Sequence, residues 1–166
     1  MIYRPYRRED FAALYAIEEA CFDPPFLFGR GYMRRLVNRS NAASWIAEED
    51  GSLVGFAIAE LTRRAEQNEA YVQTIEVLFE QRCRGVGGEL LNRLEASAHS
   101  VTAVSIWLHV DAANSGAIRL YEAHGYLCEG RQENFYTQGN AALIYRKKLI
   151  PEGPRVFSLS GSRPIQ

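Results

Sequence analysis

No run of apolar residues in this chain approaches the ~18 that a membrane-spanning helix needs, and the opening Met1-Ile2-Tyr3-Arg4-Pro5 carries no apolar signal core. The expectation is a soluble protein with no membrane partner. Cysteine is scarce. Cys21, Cys83 and Cys128 stand far apart without C-x-x-C spacing, so neither a metal site of the zinc type nor a disulfide framework is indicated, and a reducing, cytoplasmic setting fits best. Charge of one sign is missing too: 19 Lys and Arg face 20 Asp and Glu, a net charge of −1 that offers nucleic acid no sequence-independent grip. The basic run Arg30, Arg34, Arg35 and Arg39 reads as a solvated helix face.

What is present is core material. With 166 residues, 47% hydrophobic and 11% aromatic, the chain is expected to fold as one domain over residues 1–150. From Pro151 the composition shifts to Pro, Gly and Ser without hydrophobic period, so residues 151–166 read as a tail. Met1 to Tyr6 reads as a strand, and Phe11, Leu14, Ile17 and Cys21 recur at helical spacing until Asp23-Pro24-Pro25. A second helix is expected near Gly31 to Asn38. Ala43 to Glu48 and Ser52 to Leu61 are β-prone runs joined at Asp50-Gly51, a hairpin signal. Tyr71 to Leu78 is the next strand, and Glu89 to Ala98 is helix-periodic. Ala103 to Val110 is a strand, a helix capped by Asn114 ends at Gly125, and Tyr126 to Tyr136 and Ala141 to Ile150 are two paired strands. The order β-α-α-β-β-β-α-β-α-β-β describes an α/β fold with a mixed, largely antiparallel sheet and about four helices.

Between the fourth strand and the third helix lies Arg82-Cys83-Arg84-Gly85-Val86-Gly87-Gly88. A glycine turn leading into a helix offers bare backbone N–H groups and the positive end of the macrodipole to an anion such as a pyrophosphate. No Lys-Ser/Thr follows, and no third spaced glycine completes a dinucleotide fingerprint. The Arg-x-x-Gly-x-Gly spacing resembles the pyrophosphate loop of the GNAT acetyltransferase superfamily. A second segment is similar to the same family: the strand Ile106-Trp107-Leu108-His109-Val110, then Asn114 to Tyr126 in the pattern Asn-x-x-Ala-x-x-x-Tyr-x-x-x-Gly-Tyr.

The resemblance implies the GNAT fold and an acetyl-CoA-dependent N-acetyltransferase with coenzyme A as product. The cofactor would be held by backbone at Ile75, Glu76 and Val77, by the loop Arg82, Cys83, Arg84, Gly85, Val86, Gly87 and Gly88, and by Asn114 and Tyr121. The Val77 N–H is the implied oxyanion donor. Within the superfamily the chain most resembles RimI-like ribosomal-protein and protein N-terminal acetyltransferases, on His109-Val110, Asn114, Tyr121 and Phe135-Tyr136 together. The bacterial type usually carries Glu where this chain has His109; some eukaryotic enzymes carry Leu-His-Val with a Tyr on the preceding strand, as Tyr71 stands here.

Amine acetylation needs a base, a stabilised oxyanion and a proton for the departing thiolate. An imidazole near neutral pKa suits the first role, so His109 is the expected base, with Tyr71 assisting and Glu76 and Glu60 as reserve carboxylates that could equally face solvent. Tyr121, two helical turns beyond Asn114, is the expected acid. Cys83 is expected to contribute backbone only. Phe22 and Phe26 with Phe135 and Tyr136 are expected to wall the acceptor site. The acceptor is read as a protein N-terminus, with a small amine (polyamine, aminoglycoside or amino acid) as first rival and a non-catalytic acyl-CoA-binding module as second; a homodimer is compatible with the sequence.

Overall fold

Hydrophobic spacing accounts for most of the elements. In the computed structural model, which describes residues 1–149, the chain runs β1 (Ile2–Pro5), α1 (Phe11–Cys21), α2 (Arg30–Val37), β2 (Ala42–Glu49), β3 (Ser52–Arg64), β4 (Gln67–Val77), α3 (Val86–Ser100), β5 (Ser105–Asp111), α4 (Ser115–Ala123), β6 (Leu127–Thr137) and β7 (Asn140–Lys148). This is the expected order. Ile150 and the expected tail over 151–166 lie outside the described residues. Among the described residues no helix is long and apolar enough to cross a membrane.

The seven strands make one sheet in the order β1-β2-β3-β4-β5-β7-β6, antiparallel at every pairing except β4 with β5. On one face α1 and α2 bury Phe11, Leu14, Ile17, Met33 and Leu36 against Ile46, Phe56 and Ile58. On the other, α3 buries Leu90, Leu91, Leu94 and Ala98 against Ala57, Ala59, Val72 and Ile106, joined by Tyr121 of α4. Each face thus supplies the apolar layer that a two-sided sheet requires.

Two boundaries differ from the expected ones for physical reasons. β3 and β4 run on to Arg64 and Gln67, joined by Ala65-Glu66, both with positive φ (47° and 66°). That is hairpin-turn geometry carried without glycine or asparagine, so no composition signal marks it. Helix α3 begins at Val86 rather than Glu89, with Gly85 (φ 81°) as its left-handed cap. Gly87 and Gly88 therefore belong to the first helical turn. A Cβ on Gly88 would lie 2.9 Å from Nε2 of His124, and one on Gly87 3.4 Å from Leu120. These two glycines let α4 approach α3.

Candidate active site

The parallel pair β4–β5 is the least regular place in the sheet. Pairing runs from Glu69↔Ser105 to Val72↔Leu108 and stops. β4 carries a bulge there: Ile58 of β3 faces Thr74 while Ala59 faces Val72, so Gln73 is the extra residue. Beyond it β4 stays on β3 and parts from β5. The Leu78 N–H bonds the Val54 carbonyl of β3 (2.9 Å). Because successive N–H groups alternate sides along a strand, the Val77 N–H points the other way, toward the side where β5 has left. A cavity of about 250 Å³ fills the gap, lined by Gln73, Thr74 and Ile75 of β4, by His109 and Asp111 of β5, and by Asn114 and Tyr121 of α4 among others.

At the inner end of this gap the Tyr71 hydroxyl and His109 Nδ1 are 3.0 Å apart. Burial pushes the Tyr71 phenol up to about 12, with Tyr32 and Glu60 adding to the shift, so it stays protonated at neutral pH. Burial also lowers the His109 pKa below 6.5, a hydrogen bond with Gln132 opposing the shift; the imidazole is neutral at pH 7. Phe135 stacks on the imidazole, 4.1 Å between centroids at 12°. Phe26 meets Tyr136 at 5.2 Å, and Phe22, Pro25, Phe26, Phe28 and Tyr136 form the outer wall of the cavity.

Asn114 caps α4, its Oδ1 accepting the Ala117 N–H at 3.0 Å, and lines the cavity as well. Tyr121 is 7% exposed, and burial raises its pKa strongly. At the other end of the gap the first helix-type bond of α3 is Glu89 N–H to Gly85 O (3.0 Å), which leaves the amides of Val86, Gly87 and Gly88 as the free donors of a helix N-terminus. A parted strand edge beside such a terminus fits an extended chain ending in a diphosphate.

Several expected residues sit differently. Arg84 forms a two-pronged salt bridge to Glu49 (3.0 Å for each bond), and Arg82 Nε holds the Val77 carbonyl (3.0 Å), so both guanidinium groups are engaged by protein. Cys83 is exposed with φ 59°, and the partly buried Cys21 thiol is pushed up by burial. Neither reserve carboxylate faces solvent. Glu60 bonds Arg39 and Gln73, and the Glu76 side chain is buried against α1 instead of lining the cavity. Phe28, at the end of the aromatic loop expected to face the acceptor, joins the lining; sequence reading missed Gln73, Thr74 and Asp111 there, and only the bulge beside the first two could have pointed to them. A second hollow of about 330 Å³, lined by Pro5, Val37, Trp45 and Ser97 among others, gathers no comparable chemistry.

Known proteins share this architecture. The chain is 25% identical to the histone acetyltransferase MCC1 of Arabidopsis thaliana, over 81% of this chain and 63% of that protein. It is 28% identical to the N-terminal acetyltransferase B complex catalytic subunit NAA20 of the same plant, over 72% of this chain and 70% of that protein. It thus spans only about two thirds of the length of these curated relatives. The crystal structure of the ribosomal-protein-S18-alanine N-acetyltransferase of Escherichia coli superposes with a TM-score of 0.80 at 22% identity, covering 94% of this chain and 98% of that one. Residues 11–126 match the acetyltransferase (GNAT) family, and the chain belongs to that family.

Proposed function

We propose that this chain moves the acetyl group of acetyl-CoA onto the α-amino group of a protein N-terminus by direct attack in a ternary complex. The family is one of acetyltransferases that use acetyl-CoA, so the chain is an acyltransferase and the acceptor is the open half of the reaction. One observation carries the acceptor reading. His109, partnered by Tyr71, stands at the parting of β4 and β5 within walls of Phe22, Phe26, Phe28 and Tyr136, where among the described residues Asp111 is the only carboxylate in the lining. A small polycation would need a cluster of acids, whereas an aromatic-walled opening suits the first residues of a peptide.

Bound acetyl-CoA supplies an electrophilic thioester carbonyl. The amides of Val86, Gly87 and Gly88 would hold its diphosphate, and the free edge of β4 from Gln73 to Val77 its extended arm. The Val77 N–H, on the segment whose Val77 carbonyl Arg82 holds, would be the donor to the developing oxyanion. His109, neutral at pH 7, takes a proton from the incoming amine, directly or through water. Nε2 is the basic nitrogen in the tautomer whose Nδ1–H is accepted by the Tyr71 oxygen, and the contact holds the ring in place. Tyr121, kept protonated by burial, has a proton to give to the departing sulfur. Neither Cys21 nor Cys83 lines the cavity, and burial pushes the Cys21 thiol up, so neither is assigned a nucleophilic role.

The test is a screen following thiol release with short peptides bearing free or blocked N-termini, and with spermidine, an aminoglycoside and free amino acids. Turnover of free-N-terminus peptides that stops on blocking supports the reading. Faster turnover of a small amine refutes the acceptor assignment.

A further inference from the structure

Two carboxyl side chains lie in the apolar layer between α1 and β4. Glu18 is fully buried and Glu76 is 3% exposed. Oε1 of Glu18 accepts the Phe28 N–H (2.6 Å), and Oε1 of Glu76 accepts the Thr74 hydroxyl (2.7 Å). The Oε2 atom of each is buried with no hydrogen-bond partner among the described residues, and Glu18 stands close enough to Glu76 to push its carboxyl pKa up. Two ionised carboxylates cannot bond one another. A single proton turns one into a donor and satisfies both orphaned oxygens.

The position of this pair gives it a task. α1 leads into the Phe22–Phe28 loop, whose rings wall the cavity, and Glu18 grips the far end of that loop through the Phe28 N–H. Glu76 immediately precedes Val77. We propose that Glu18 and Glu76 share one proton and act as a positioning pair, fastening the aromatic loop to the strand that presents the Val77 N–H, and that loss of the proton frees the loop. The shared proton rests on the buried oxygens alone; the consequence for an acceptor rests on the reading of the site given above.

The surroundings leave the proton nowhere better to go. From α1 the pair is faced by the Cys21 thiol, from β4 by the Thr74 hydroxyl, and from the turn after β4 by Arg82, whose guanidinium is committed to the Val77 carbonyl and Cys21 Sγ. From β3, Phe56 stands opposite Glu76 in the register. Burial, then the neighbouring Glu18, push the Glu76 carboxyl up to about 9, while Arg82 and the Thr74 hydroxyl pull it down.

The experiment uses the full chain and its Glu76→Gln and Glu18→Gln variants, because an amide reproduces the protonated partner and cannot titrate. Amide hydrogen exchange of the 22–29 segment, corrected for intrinsic base catalysis, is measured from pH 7 to 10. The wild type is expected to lose protection at Phe28 by about tenfold per pH unit above the dyad's ionisation, whereas both variants stay flat. A protonated-carboxyl infrared band present in the wild type at pH 7.5 and lost in Glu76→Gln is the second signature. Protection that is pH-independent in the wild type, or equally pH-dependent in the Gln variants, overturns the proposal. If one variant does not fold, the other is read against the wild type. With any acceptor peptide found to turn over, the ratio of wild-type to variant KM should rise with pH, the ionisation of the substrate cancelling in the ratio. A constant ratio beside pH-dependent exchange would refute the link to the acceptor while leaving the shared proton standing.

Discussion

Gly55→Ala is the substitution that ties stability to chemistry most directly. Gly55 lies inside β3 opposite Val77 of β4. A Cβ there would sit 2.7 Å from the Glu76 carbonyl oxygen, 3.3 Å from Val77 Cγ2 and 3.4 Å from Leu90 Cδ1. Returning the closest approach to about 3.3 Å requires β4 to retreat by roughly 0.6 Å, and a backbone oxygen in a paired strand has no rotamer by which to escape. Overpacking of this kind costs about 1–3 kcal/mol, which for a domain of this size lowers Tm by roughly 4–8 °C at 2 kcal/mol. The retreating segment also carries the Val77 N–H. If a 1 Å misplacement costs ~10²-fold in rate, a shift of half that should lower kcat about tenfold. Thermal melts by circular dichroism and steady-state kinetics report the two effects. Gly51→Ala is the control: Gly51 has φ 78° and open space around it, so its cost is conformational and confined to a turn. A Gly55→Ala protein with wild-type Tm and kcat would refute the claim that the β3–β4 contact sets the position of Val77.

Tyr71→Phe removes the hydroxyl that fixes His109 and should lower kcat about tenfold or more, with acetyl-CoA affinity measured by calorimetry unchanged. Because burial depresses the His109 pKa, kcat/KM should fall only as pH drops below 6.5, where the imidazole gains its proton; an acid limb that persists in His109→Gln would remove the base assignment. Tyr121→Phe should slow transfer while leaving acetyl-CoA binding nearly intact, and unchanged turnover would exclude the acid role. For Glu76, the folded-state pKa is raised from 4.5 to about 9, so the fold binds a proton that the unfolded chain has released. Its contribution is intact below pH 4.5 and is lost at up to ~1.4 kcal/mol per pH unit as pH rises toward 9. Glu76→Gln should therefore gain stability over the wild type between pH 6 and 9 in urea titrations. A pH-independent difference in midpoint would contradict the sign.

Legibility from the sequence divides along physical lines. Strands and helices whose apolar residues keep one period were readable, as were Asn114 as a cap and Asp50-Gly51 as a hairpin turn, because each depends on residues adjacent in the chain. The Ala65-Glu66 turn was not, since left-handed geometry held by tertiary pairing leaves no glycine or asparagine behind. An assisting role for Tyr71 beside His109 was implied by the family resemblance, but their 3.0 Å contact depends on register. Gly87 and Gly88 stood out for the right segment with part of the reason hidden, since the approach of α4 is a contact between distant pieces of chain. The meeting of Glu18 with Glu76 had no local signature at all.

That last case follows from the bulge at Gln73. In a regular strand Ala70, Val72, Thr74 and Glu76 would share a face, and a carboxylate among them would point into the α3 core. The extra residue reverses the alternation: Ala70 and Val72 pack on the α3 side, and after Gln73 it is Ile75 and Val77 that do so. Thr74 and Glu76 turn to α1, the face on which Tyr71 meets His109. One inserted residue therefore does three things. It lets β4 leave β5 and open the cavity, it leaves the Val77 N–H on the side that β5 has left, and it brings a buried acid under the loop that walls the cavity. A periodicity count across residues 70–77 averages over this reversal, which is why the segment reads only as an apolar strand, and why the most consequential feature of the site is a break in the pattern by which strands are recognised.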